Sequence, residues 1–105
     1  MPTPVELLLF ARTSRKFLSC AIKSLPADAG NHGLDKQRLE HLMTTKKWND
    51  ATRILIDYGH TQEDHGKRMG GSFWDSLYRL AYMMKMADVI MLCKHYRDDQ
   101  LGHGS

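Results

Sequence analysis

The sequence predicts an all-α domain, a small bundle of three long helical segments, on three observations. Apolar residues recur at steps of three and four through three stretches, a capping residue opens each stretch, and connections rich in glycine, proline and polar residues separate them. The segments run from Thr3 to Leu25, from Asp35 to Tyr58 and from Ser72 to Arg97. Connecting loops fill 26–34 and 59–71, and a tail at 98–105 is expected to fray. The alternative is a set of tandem helical hairpins, with each long segment broken in two.

The first segment opens on Thr3 with Pro4 at the first helical position and Glu6 three residues after the threonine, the arrangement of a capping box. Leu7, Ala11, Ser14, Leu18, Ala21 and Leu25 then recur on one face, and Pro26 ends the run. Asp35 is the N-cap of the second segment. Leu39, Leu42, Met43, Trp48, Ala51, Ile54, Leu55 and Tyr58 continue it to Gly59, expected to be its C-cap. Ser72 and Asp75 have the spacing of a second capping box, and Phe73, Leu77, Leu80, Met84, Ala87 and Met91 form one seam down the third segment. Tyr82, Met86, Val89 and Cys93 lie on the other side of that continuous helix. Its apolar coverage is wider than the stripe of about 100° that a surface helix needs.

A repeating frame runs through the segments: Leu8, Ala11, Lys16 and Phe17 match Leu39, Leu42, Lys47 and Trp48, and these match Leu77, Leu80, Lys85 and Met86. The stretches Phe73-Trp-Asp-Ser-Leu-Tyr-Arg-Leu-Ala-Tyr82 and Met86-Ala-Asp-Val-Ile-Met-Leu92 resemble a degenerate tetratricopeptide or pentatricopeptide hairpin. Those families bind peptides and single-stranded RNA respectively. The resemblance covers the last two segments and carries over no site residues. Thr45-Lys46-Lys47 and Met83-Met84-Lys85 contain no small turn residue, so continuous long helices fit at least as well as hairpins.

At 105 residues the chain makes one domain, 1–105, and 42% hydrophobic with 26% charged residues is enough to bury a core. Two cysteines far apart, Cys20 and Cys93, make no disulfide framework, so an intracellular, cytoplasmic setting is expected, with a mitochondrial one as the alternative. The most apolar stretch, from Phe73 to Cys93, contains Asp75, Arg79, Lys85 and Asp88, each opposing membrane insertion by about 2.5–3.5 kcal/mol, so no membrane span is expected.

No phosphate-binding glycine loop, nucleophile elbow, paired carboxylates or zinc-protease motif occurs, and neither catalysis nor a cofactor is expected. The expected role is a non-catalytic, regulatory adaptor, inhibitor or assembly subunit that recognises another protein, or itself as a homodimer. Its anchors would be Trp74, Tyr82, Met83, Met86 and Val89 on the outer face of the third segment, because adaptable methionines and aromatic residues dominate such surfaces. The alternative is an RNA- or DNA-binding regulator. It would use Arg12, Arg15, Lys16 and Lys23, a basic stripe with no acid among them, in a chain of net charge +3 and pI near 9.0. A remote alternative is catalytic: Arg53 and His60 have a spacing that resembles the helical HEPN ribonucleases, which implies phosphate stabilisation and proton transfer. His60, His65, Cys93 and His95 include the ligand types of a zinc site but lack a two-cysteine knuckle.

Overall fold

The computed structural model of the chain describes residues 2–102, all-α throughout, with five α-helices: α1 (Pro4–Lys23), α2 (Lys36–Thr44), α3 (Trp48–Asp64), α4 (Gly71–Met83) and α5 (Ala87–Gly102). One turn of 3-10 helix, Ala29–His32, lies between α1 and α2. The first segment is one helix as expected. The other two are not continuous: each breaks into a pair, so the bundle of three long segments is replaced by five helices.

Helix entry follows the sequence closely at two places. The Thr3 hydroxyl accepts from the Glu6 N–H at 3.1 Å while Glu6 Oε2 accepts from the Thr3 N–H at 3.3 Å, completing the capping box. Asp35 caps α2 by accepting from the Arg38 N–H at 3.0 Å. At the start of α4 the expected Ser72–Asp75 cap does not form. The N-cap is Gly70, Ser72 lies inside the first turn, and Asp75 bonds Arg79 at 3.0 Å.

The two breaks have one geometry. At the end of α2, the Lys47 N–H donates to the Leu42 carbonyl at 2.8 Å and the Lys46 N–H to that of Met43 at 3.1 Å. At the end of α4, the Met86 N–H donates to Ala81 at 2.8 Å and the Lys85 N–H to Tyr82 at 3.2 Å. Both are Schellman motifs, which require a left-handed residue, and Lys46 (φ 60°) and Lys85 (φ 56°) supply it. The end of α3 closes in the same way around Gly66 (φ 80°), the residue type that adopts this conformation without strain. A lysine there costs about 1–2 kcal/mol. The flanking Leu42, Trp48, Ala81 and Met86 are all buried, and that burial offsets it.

The second break also resets the helical phase. A continuous helix would keep Met84, Ala87 and Met91 in the seam of Phe73, Leu77 and Leu80. With the turn at Met84–Met86, Ala87 and Met91 face solvent while Met86, Val89 and Cys93 turn inward.

α4 is the central helix. It packs against α5 and antiparallel to α1, and crosses α3, burying Phe73, Trp74, Leu77, Leu80 and Ala81. The crossing needs a glycine. Gly59 does not cap a helix; it lies buried within α3, where a Cβ would stand 2.6 Å from Phe73 Cε1 and 2.9 Å from Trp74 Cη2. α3 runs six residues past the expected end at Tyr58, and the loop expected at 59–71 shrinks to 65–70. The tail expected to fray from residue 98 is helical to Gly102, and its last three residues lie outside the described ones.

Two outcomes follow from this backbone. Gly59→Ala, which would stabilise an exposed helix, is expected to destabilise this one by about 1–3 kcal/mol in urea unfolding, because Phe73 and Trp74 must move. Lys46→Gly and Lys85→Gly are expected to raise stability by about 0.5–1 kcal/mol each; a loss would show that the left-handed turns carry no strain.

Candidate interaction surface

α1 is held by the body from Phe10 onward. Its buried residues are Ser14, Leu18 and Ala21, with Phe10, Ala11, Phe17 and Ile22 half-buried. The first turns of α1 lie at the end of the bundle that carries Lys46 and Trp48, where one concavity is lined by Pro4, Leu7, Leu8, Phe10 and Trp48. Leu7, in register with Ser14 and Leu18, is therefore left 55% exposed, at the edge of the concavity that Lys46 and Trp48 also line. Val5, Leu7, Leu8 and Leu9 are 53–64% exposed, and their spacing spreads them over more than one face of the helix, with Glu6 on the remaining side.

The arm is flanked by two adjoining concavities that share Leu8, Ala11 and Lys46. The first, about 490 Å³, is completed by Pro4, Leu7, Phe10 and Trp48 and is largely apolar. The second, about 450 Å³, is completed by Arg12, Arg15 and Lys16. Arg15 lies over the Trp48 ring, 5.8 Å from its centroid, which ties the cationic side to the apolar floor. A third groove of about 380 Å³ lies between the end of α1 and α2, lined by Ile22, Leu25, Leu34, Leu39 and Met43.

The anchors expected on the third segment divide. Trp74 is fully buried, stacked on Tyr96 at 4.6 Å between ring centroids and donating its Nε1–H to Glu63 at 2.9 Å. Met86 and Val89 are buried by the phase reset described above. These three belong to the core and reach no partner in the folded protein. Tyr82 is 66% exposed and Met83 half-buried, two residues at a helix end rather than a face. The wide apolar coverage of the third segment is consumed within the chain, because α4 sits in the middle of it. Of the stripe on α1, Arg12, Arg15, Lys16 and Lys23 are all exposed.

Arg53 and His60 fall on one side of α3, both facing α5. Arg53 forks onto the Asp88 carboxylate at 2.9 and 3.3 Å, and this hydrogen bond raises the arginine pKa and lowers that of the aspartate. His60 Nδ1 lies 3.1 Å from the Tyr96 hydroxyl, and its Nε2 is 3.7 Å from Asp64. The arginine fork is occupied by a carboxylate, which opposes the binding of a phosphate in its place. Cys93 is buried on α5, whereas His95 is exposed, its ring edge against Tyr96 at 5.5 Å. Among the described residues, no three His, Cys, Asp or Glu side chains converge as a metal site would require.

A residue that sequence reasoning passes over holds this end together. Glu63 Oε2 accepts from the Met69 N–H at 2.9 Å, from Trp74 Nε1–H at 2.9 Å and from Gln100 Nε2–H at 2.7 Å. In turn, Gln100 Oε1 accepts from the Gly70 N–H at 2.6 Å. The only signal was an acid in a polar loop, since its partners lie 6, 11 and 37 residues away.

Burial pushes the Cys93 thiol up from 9.0 to about 12, and raises the Tyr58 and Tyr96 hydroxyls in the same sense. The folded state then holds protons that the unfolded chain releases, so stability is complete below the unfolded pKa and declines as pH rises from 9.0 toward 12. The urea midpoint should fall over that window, less steeply in Cys93→Ala. A thiol reagent at neutral pH should modify Cys20 alone until denaturant is added; rapid labelling of both would contradict the burial of Cys93.

No helix among the described residues is long and apolar enough to cross a membrane. No family model matches this chain, and neither a curated protein nor a solved structure matches it significantly, so its surface is read from its own geometry.

Proposed function

We propose that this domain is a non-catalytic protein-binding module, an adaptor, inhibitor or assembly subunit, acting through the apolar first turns of α1. The observation that carries this reading is Val5, Leu7, Leu8 and Leu9, exposed together on a helix whose end is properly capped. Exposed apolar patches of this kind mark interaction sites. Full burial of each side chain would contribute about 1.5–3 kcal/mol before the costs of association.

The second reading is nucleic-acid binding by Arg12, Arg15, Lys16 and Lys23, favoured by their joint exposure on one helix. It accounts for the charges and leaves the leucines unexplained.

The test is absolute mass by light scattering with an apolar dye as a second probe. The wild-type chain should exceed 12.1 kDa through bound protein or self-association, and should bind the dye. Leu7→Ser/Leu8→Ser should lose both while keeping its helical signal and unfolding midpoint. A wild-type chain that remains at its monomer mass and excludes the dye would overturn the proposal.

A further inference from the structure

We infer that the α1 arm and the α2–α3 turn form one groove for an acidic amphipathic helix of a partner protein. This rests on the protein-binding reading and adds the charge and shape of what is bound.

The groove changes character across its width. On one side Leu7, Phe10 and Trp48 present an apolar wall; on the other stand Arg12, Arg15 and Lys16, and Lys46 reaches both. None of these four cations lies within ion-pair distance of a carboxylate among the described residues. Every salt bridge there involves other cations: Arg53, Arg68, Arg79, Lys94, Arg97 and two histidines. Glu6, the one acid in the arm itself, turns back onto the Thr3 N–H. The positive charge is therefore uncompensated and lies beside exposed leucine.

A helix with apolar residues at i, i+3, i+4 and i+7 and carboxylates along one flank satisfies both sides at once. The wall from Pro4 to Lys16 is about 20 Å long at 1.5 Å per residue, room for a partner helix of three to four turns. Other occupants fit less well. A second copy docked symmetrically on this face would bring Arg12, Arg15 and Lys16 against their own equivalents, in a chain already at +3. A nucleic acid would neutralise the cations and set phosphates against Leu7 and Phe10.

The test is fluorescence anisotropy with a labelled peptide about sixteen residues long, leucines at helical spacing and glutamates elsewhere. Its comparators are the same peptide with lysine for glutamate, a scrambled order, and a single-stranded RNA. Leu8, Arg15 and Lys46 are exposed, so variants there leave the core intact, which circular dichroism would verify. The glutamate peptide should bind, more weakly as salt rises, and should lose about tenfold or more in Arg15→Glu/Lys46→Glu and again in Leu8→Ser. The scrambled and lysine peptides should bind at least about tenfold more weakly. Equal binding of the lysine peptide would overturn the acidic partner while leaving the protein-binding reading to its own test by mass. RNA binding that outcompetes the glutamate peptide and survives Leu8→Ser would overturn both. No binding of the glutamate peptide would overturn the inference.

Discussion

One carboxylate oxygen, Glu63 Oε2, sets the geometry on which the rest of this fold is built. It takes hydrogen bonds from the backbone of Met69, the indole of Trp74 and the amide of Gln100, and so ties α3, the 65–70 connection, α4 and α5 at one point. A charged acceptor with three donors is a strong local constraint, because leaving any of those groups unpaired costs more than the bond itself contributes. The crossing it fixes brings α3 so close to α4 that only a glycine fits at position 59. With Trp74 held between Glu63 and Tyr96, the opposite face of α4 is free to receive α1. The whole arrangement thus follows from how α4 is seated.

How much of this was legible in the sequence depends on the range of the interaction. Thr3, Glu6 and Asp35 act within three residues of themselves, and their caps were readable. The apolar seams of α1 and of Phe73 to Leu80 were readable for the same reason, since periodicity is a local property. Lys46 and Lys85 were not, because nothing local favours a left-handed lysine; the buried neighbours that hold them there come from elsewhere in the fold. Missing those turns carried the helical phase forward and placed Met86 and Val89 on a surface they do not occupy. Gly59 was read by its usual role at helix ends, when its actual role depends on two rings from another helix. Glu63 was invisible because its partners are brought to it by the completed fold.

The candidate surface shows the same division. The basic residues of α1 were found from their spacing, but the apolar arm beside them was assigned to the core, as leucines at helical spacing usually are. What decides otherwise is length: α1 is a helix of 20 residues packed against a helix of 13, and its first turns stay largely exposed. On the proposed reading, an apolar position that the bundle leaves exposed serves recognition instead of the core. Basic and apolar residues that looked like two rival functions in the sequence then lie on two walls of one groove.

The unequal support along α1 also divides a single helix into two cooperative regimes. From Phe10 onward it is locked to the body and opens only when the bundle opens, whereas its first turns are held by a cap and by their own hydrogen bonds. The exposed run Pro4–Leu9, six residues, is well below the length at which a helix persists by itself in water. The arm is thus ordered chiefly by extension from the anchored part, and local opening there proceeds without cost to the core. A ligand that rigidifies the arm would gain affinity from its contacts and lose some to that ordering. Its binding would then register as slowed amide exchange in a part of the chain whose global stability has not changed.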